Sequence, residues 1–134
     1  MSGDFYVDET CINCGTCRFI APDTFNDNNK KSRVYNQPET KEQKHRALMA
    51  MISCPVSSIG TEEKNDLSKA ITSYPDPIEK KVFHCGFHSK SSFGATSYLI
   101  KRPEGNVMVD SPRFVDALAR RIEEMGGIKY MFLS

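Results

Sequence analysis

Short apolar runs separated by polar loops lay out the chain. Phe5 and Val7 alternate with polar neighbours, the period-two mark of a short strand, and Ser32-Arg33-Val34-Tyr35 reads as a second. The period then changes. Across 41–53, Ala47, Leu48, Met51 and Ile52 fall on one face at helical spacing, while Lys41, Glu42, Lys44 and Arg46 lie mostly elsewhere. This predicts a helix over Lys41–Ser53. After Cys54-Pro55-Val56, a last short strand around Ile59 closes the unit.

Residues 62–77 interrupt the pattern. Polar Thr61-Glu62-Glu63-Lys64-Asn65-Asp66 precedes Tyr74-Pro75-Asp76-Pro77, which cannot continue a helix because proline lacks the N–H and restricts its predecessor. A linker with a short helix over Leu67–Ser73 is expected. Beyond it, Ser97–Arg102 and Asn106–Asp110 are strand-like around the turn Pro103-Glu104-Gly105. Ser111 as N-cap and Pro112 in the first turn then open a helix whose stripe is Phe114, Val115, Leu118, Ile122 and Met125, ended by Gly126-Gly127. Ile128–Leu133 reads as a buried strand, and strand–helix–strand at this spacing suggests a parallel crossover. The expected fold class is α+β: a unit over residues 1–61, a linker over 62–77, and a partial α/β segment (hairpin, helix, strand) over 78–134.

The chain has 134 residues, enough for one ordinary domain or a small one with part of another. Its 18 basic and 17 acidic residues leave a net charge of +1, so no global field favours nucleic acid or a membrane surface. No apolar run approaches a membrane span. The opening Met1-Ser2-Gly3-Asp4-Phe5 has neither secretory-signal nor transit-peptide character, so a cytoplasmic address is expected.

The cysteines carry the chemistry. Cys11, Cys14 and Cys17 recur every third residue, and Cys54 is followed by Pro55. Clustered cysteines without an export signal suggest metal ligands rather than disulfides. Three thiols in seven residues crowd a single tetrahedral zinc ion, which more naturally takes two separated pairs. A tight loop can instead wrap three corners of an iron–sulfur cube, with a distant fourth thiolate on the last iron. Cys11, Cys14, Cys17 and Cys54 are therefore the candidate ligands of one [4Fe–4S] cluster. Gly15 and Thr16 are small enough for backbone N–H groups to approach its sulfurs, and Ile12, Phe19, Val56 and Ile59 are candidates for a dry shell. The remaining polar residues have simpler readings. His84, Cys85 and His88 suit strand and loop packing better than a metal site, because Gly86 weakens a helix and no carboxylate is near. His45 is expected on an exposed helix face, Arg120, Arg121, Glu123 and Glu124 on a wet one, and Asp110 in turn or capping hydrogen bonds.

Residues 4–60 resemble a single-cluster ferredoxin of the bacterial kind. The cysteine triplet, the helix and Cys54-Pro55 carry the likeness, together with Arg18-Phe19-Ile20-Ala21-Pro22-Asp23-Thr24-Phe25. The resemblance implies one-electron transfer at low potential with a redox-protein partner. Residues 78–134 resemble the opening of a metallo-β-lactamase-fold hydrolase, through Ser92-Phe93-Gly94-Ala95-Thr96-Ser97-Tyr98-Leu99-Ile100, Gly105-Asn106-Val107-Met108-Val109-Asp110-Ser111-Pro112-Arg113, the helix and the strand 128–134. The His-x-His-x-Asp-His segment of that fold is not in the chain, so no catalytic residue carries over and no hydrolase activity is expected. The likeness implies a fragment completed by a downstream domain, or an open C-terminal strand that pairs with another copy. The alternative to an electron carrier is a structural or redox-sensing iron–sulfur front end of a metallo-β-lactamase-fold hydrolase or of a flavin-type oxidoreductase.

About 60 residues make a weak core unaided, so a cluster would also staple the fold. Metal removal is expected to leave residues 1–60 loosely folded, with loss of a cooperative transition by circular dichroism. A native-like cooperative apo state would overturn this.

Overall fold

The computed structural model describes residues 3–90 and 95–133; Ser92, Phe93, Gly94 and Ser134 of the second resemblance lie outside them. The first strand, β1 (Phe5–Val7), pairs antiparallel with β4 (Ile59–Thr61), Phe5 opposite Thr61. Between them lie helix α1 (Thr16–Ile20), the hairpin of β2 (Phe25–Asp27) with β3 (Ser32–Val34), and helix α2 (Lys41–Ser53). Helix α2 has the bounds its periodicity predicts. It opens on a reciprocal capping box: Thr40 Oγ1 accepts from Gln43 N at 3.0 Å, and Gln43 Oε1 accepts from Thr40 N. It buries Ala47, Leu48, Met49 and Ala50, and closes with Cys54 as C-cap.

Helix α3 (Ser68–Thr72) follows and packs on α2. A five-stranded sheet comes next, in the order β5 (Asp76–Glu79), β6 (Val82–His84), β7 (Tyr98–Ile100), β8 (Val107–Val109), β9 (Tyr130–Phe132). Its first four strands are antiparallel, and β8–β9 is the expected parallel pair, bridged by helix α4 (Asp116–Glu124).

Two readings of this half need correction. Helix α4 begins at Asp116, with Val115 as its extended N-cap, so Ser111 caps nothing. Residues 111–115 are drawn out because Arg113 N donates to Phe87 O at 2.7 Å, and its guanidinium donates to His88 O at 3.0 Å and to Ile52 O. Phe114 accordingly projects outward, 83% exposed, while Leu118 and Ile122 are buried. The C-terminal strand is not buried either. At the sheet edge, with β8 its only pairing partner among the described residues, β9 leaves Tyr130, Met131 and Phe132 all exposed.

One apolar cluster runs through both halves, from Phe5, Ile20 and Met49 to Tyr74, Phe87, Leu99 and Leu118. A buried polar chain crosses it. Phe87 N donates to Ser53 Oγ (3.1 Å), Ser53 Oγ to Tyr74 Oη (2.8 Å), and Tyr74 Oη to Met49 O (3.2 Å). Gly86 makes this possible: it sits at φ 69°, and a Cβ there would lie 2.4 Å from the Tyr74 ring. Arg46 adds a second tie, donating to Ile20 O at 2.9 Å and pairing with Asp76 at 2.8 Å.

Ser53→Ala would leave the buried Phe87 N–H without its acceptor. A loss of about 1–3 kcal/mol is expected, read as a lower denaturant midpoint at unchanged slope; an unshifted midpoint would refute the role given to this hydroxyl.

Candidate metal centre

Cys11 and Cys14 lie in the loop entering α1, Cys17 in its first turn, and Cys54 at the end of α2 lines the same small cavity. The loop turns tightly because Asn13 (φ 59°) and Gly15 (φ 82°) both adopt left-handed backbone. Arg18 pins it from outside, donating to Asn13 Oδ1 at 2.8 Å and pairing with Asp27 at 3.2 Å. Proline after Cys54 ends α2 and is itself buried.

Val7, Ile12, Val56 and Ile59 supply apolar walls to the cavity. Phe19, expected among them, instead stands half exposed and meets the His84 ring edge-on, with centroids 5.2 Å apart. Several polar groups reach the cysteine sulfurs. Ser32 N and Asn13 N donate to Cys11 Sγ at 3.5 and 3.4 Å, Ser58 N donates to Cys54 Sγ at 3.3 Å, and the Thr16 hydroxyl lies 3.0 Å from Cys14 Sγ. Two of these amides, from β3 and from the turn after Cys54, are brought in by tertiary packing.

The donor set suits a cluster. Among the described residues, no three histidine, cysteine, aspartate or glutamate side chains gather to hold a single metal ion. The four sulfurs instead line a shared space, and N–H groups aimed at thiolates stabilise their negative charge. Burial raises the Cys17 thiol above its ordinary pKa, and the other three sulfurs push the same way. Metal binding here must therefore expel protons that the empty site would keep. Cys17 and Cys54 are buried, whereas Cys11 and Cys14 are partly exposed.

Residues 7–61 match the family model of the 4Fe-4S single cluster domain of Ferredoxin I. The match spans the cysteine loop, α2 and Cys54, and assigns a 4Fe-4S cluster as the cofactor of this part of the chain. No curated protein matches the chain. Among the described residues, no helix is long and apolar enough to cross a membrane.

The other candidates have separate surroundings. Cys85 is buried on the sheet beside Ser97, and burial pushes its thiol up to about 11, which suits an inert packing residue. His45 is partly buried rather than exposed, with Nε2 2.9 Å from Ser73 Oγ. His84 and His88 are both buried, and their Nε2 atoms lie 2.8 Å apart. His88 Nδ1 is 3.0 Å from Thr16 Oγ1, a contact across 72 residues that no local motif could have revealed.

Replacing Cys11, Cys14, Cys17 or Cys54 singly by alanine is expected to cut bound iron well below the roughly four atoms per chain of a complete cluster. Cys85→Ala is expected to leave the iron count unchanged. Colorimetric iron and sulfide analysis of anaerobically purified protein checks both. Full iron retention in all four ligand variants would exclude the site.

Proposed function

We propose that the chain is a one-electron carrier in which Cys11, Cys14, Cys17 and Cys54 hold a single [4Fe–4S] cluster. The observation that carries this reading is the four-sulfur cavity, closed by Cys17 and Cys54 and open toward solvent at Cys11 and Cys14. When bound, the cluster supplies reversible uptake of one electron, with no bond made or broken.

The chain's own residues provide the rest. Amides on Cys11 and Cys54 stabilise negative charge at the sulfurs, and the apolar walls keep water from the buried side. The partly exposed Cys11–Cys14 edge gives a partner redox protein its shortest approach. Residues 78–134 we read as the opening units of a metallo-β-lactamase-like fold, a likeness supported by the β7–β8 hairpin, α4 and the parallel β9. In the cell we expect a cytoplasmic protein.

Electron paramagnetic resonance before and after dithionite tests the carrier role. A silent oxidised protein that gains a reduced-cluster signal, and loses it again on reoxidation, is the expected result. A cluster that resists reduction, or is destroyed by it, would refute the carrier reading.

A further inference from the structure

Beside the cavity, a buried hydrogen-bonded row runs away from one sulfur into the second half of the chain. Cys14 Sγ lies 3.0 Å from Thr16 Oγ1, Thr16 Oγ1 3.0 Å from His88 Nδ1, and His88 Nε2 2.8 Å from His84 Nε2. Thr16, His88 and His84 are 4%, 1% and 0% exposed. At the far end, His84 Nδ1 is buried with no hydrogen-bond partner among the described residues.

Simple proton counting orients the row. A cysteine bound to iron is a thiolate and can only accept, so the Thr16 hydroxyl spends its one proton on Cys14 Sγ. Thr16 Oγ1 must then accept from His88, which makes His88 the Nδ1–H tautomer. His88 Nε2 is left as an acceptor and takes the Nε2–H of His84. His84 Nδ1 is consequently a bare lone pair, which agrees with its lack of a partner. Burial, then the neighbouring His88, lowers the His84 pKa to about 3, so His84 is neutral at ordinary pH. Every donor in it points toward the sulfur.

His88 is held in place for this. Its N–H donates to Ser53 O at 3.1 Å, and its carbonyl accepts from Arg113 Nε at 3.0 Å. Ser53 adjoins Cys54, so the backbone that carries the fourth sulfur also seats the imidazole. The other sulfur contacts given above, on Cys11 and Cys54, come from amides within residues 7–61. Cys14 alone among these receives a hydroxyl polarised from outside that stretch.

We propose that Thr16, His88 and His84 form a fixed donor relay onto Cys14 Sγ, by which the second half of the chain raises the reduction potential of the cluster. The proposal rests on the electron-carrier reading above. In the reaction concerned, one electron passes from a one-electron donor to the cluster, and every proton of the relay stays on its own atom. A donor aimed at a sulfur favours the reduced state, which carries one more negative charge. Accepting a hydrogen bond from His88 makes the Thr16 hydroxyl a stronger donor in turn, because hydrogen bonds in series polarise one another. His88 and His84 are thus positioning residues that act through Thr16.

The test is the midpoint potential of intact holoprotein, titrated with dithionite at fixed pH. Thr16→Val is expected to shift it to more negative values, and Thr16→Ser to keep it near wild type. His88→Leu is expected to shift it in the same direction by a smaller amount, and to add nothing in the Thr16→Val background. An unmoved potential in Thr16→Val with full iron content would overturn the relay, as would a His88→Leu effect that persists without the hydroxyl. Should His88→Leu fold poorly, nitrogen-15 correlation spectra of the oxidised wild type decide independently. A proton on His88 Nδ1 supports the relay, and one on Nε2 alone overturns it. A wild-type cluster with no reversible electron uptake would remove the carrier reading and the relay together, whereas reversible uptake with unmoved variants removes the relay only.

Discussion

The Ser53 hydroxyl is the joint on which the arrangement depends. It accepts from Phe87 N and donates to Tyr74 Oη, while the carbonyl of the same residue accepts from His88 N. Two segments of the second half are thereby fastened to the last turn of α2, immediately before Cys54. These bonds are buried, so each must be made nearly without exception, since an unpaired donor there would cost a large part of a small protein's stability. Arg113 reinforces the same junction from the far side through Ile52 O and His88 O.

The four sulfurs impose the opposite demand. They must surround a space that the core is not allowed to fill. The loop meets this with two left-handed residues, Asn13 and Gly15, that turn it around three sulfurs, and Pro55 meets it by releasing the chain from helix after the fourth. Apolar residues then close the walls without entering the cavity. Fixed amides from β3 and from Ser58 point at two of the sulfurs, where they answer negative charge on a thiolate.

What could be read from the sequence were the features that local chemistry specifies. The cysteine spacing, the apolar stripe of α2, the Pro-Glu-Gly turn and the parallel crossover each depend on residues near one another along the chain. Features decided at a distance could not. The apolar run at the C-terminus reads as a core strand, yet its place at the sheet edge leaves it exposed. The start of α4 is displaced by the demands on Arg113, which come from Phe87, His88 and Ile52. His84 and His88 look like ordinary packing residues because nothing in their own neighbourhood announces Thr16. Phe19, a reasonable wall for the cavity, is drawn to the His84 ring instead.

The placement of Ser53 and His88 also bears on modularity. Sequence similarity draws a border after residue 61, and such borders are often taken as places where a unit can be cut out and grafted elsewhere. Here that border is not a mechanical one. A graft ending at Thr61 would take the four thiols with it, but would leave behind the groups that hydrogen-bond Ser53, Ile52 and Thr16. The transplanted piece would keep its four thiols and lose the surroundings that hold them in register.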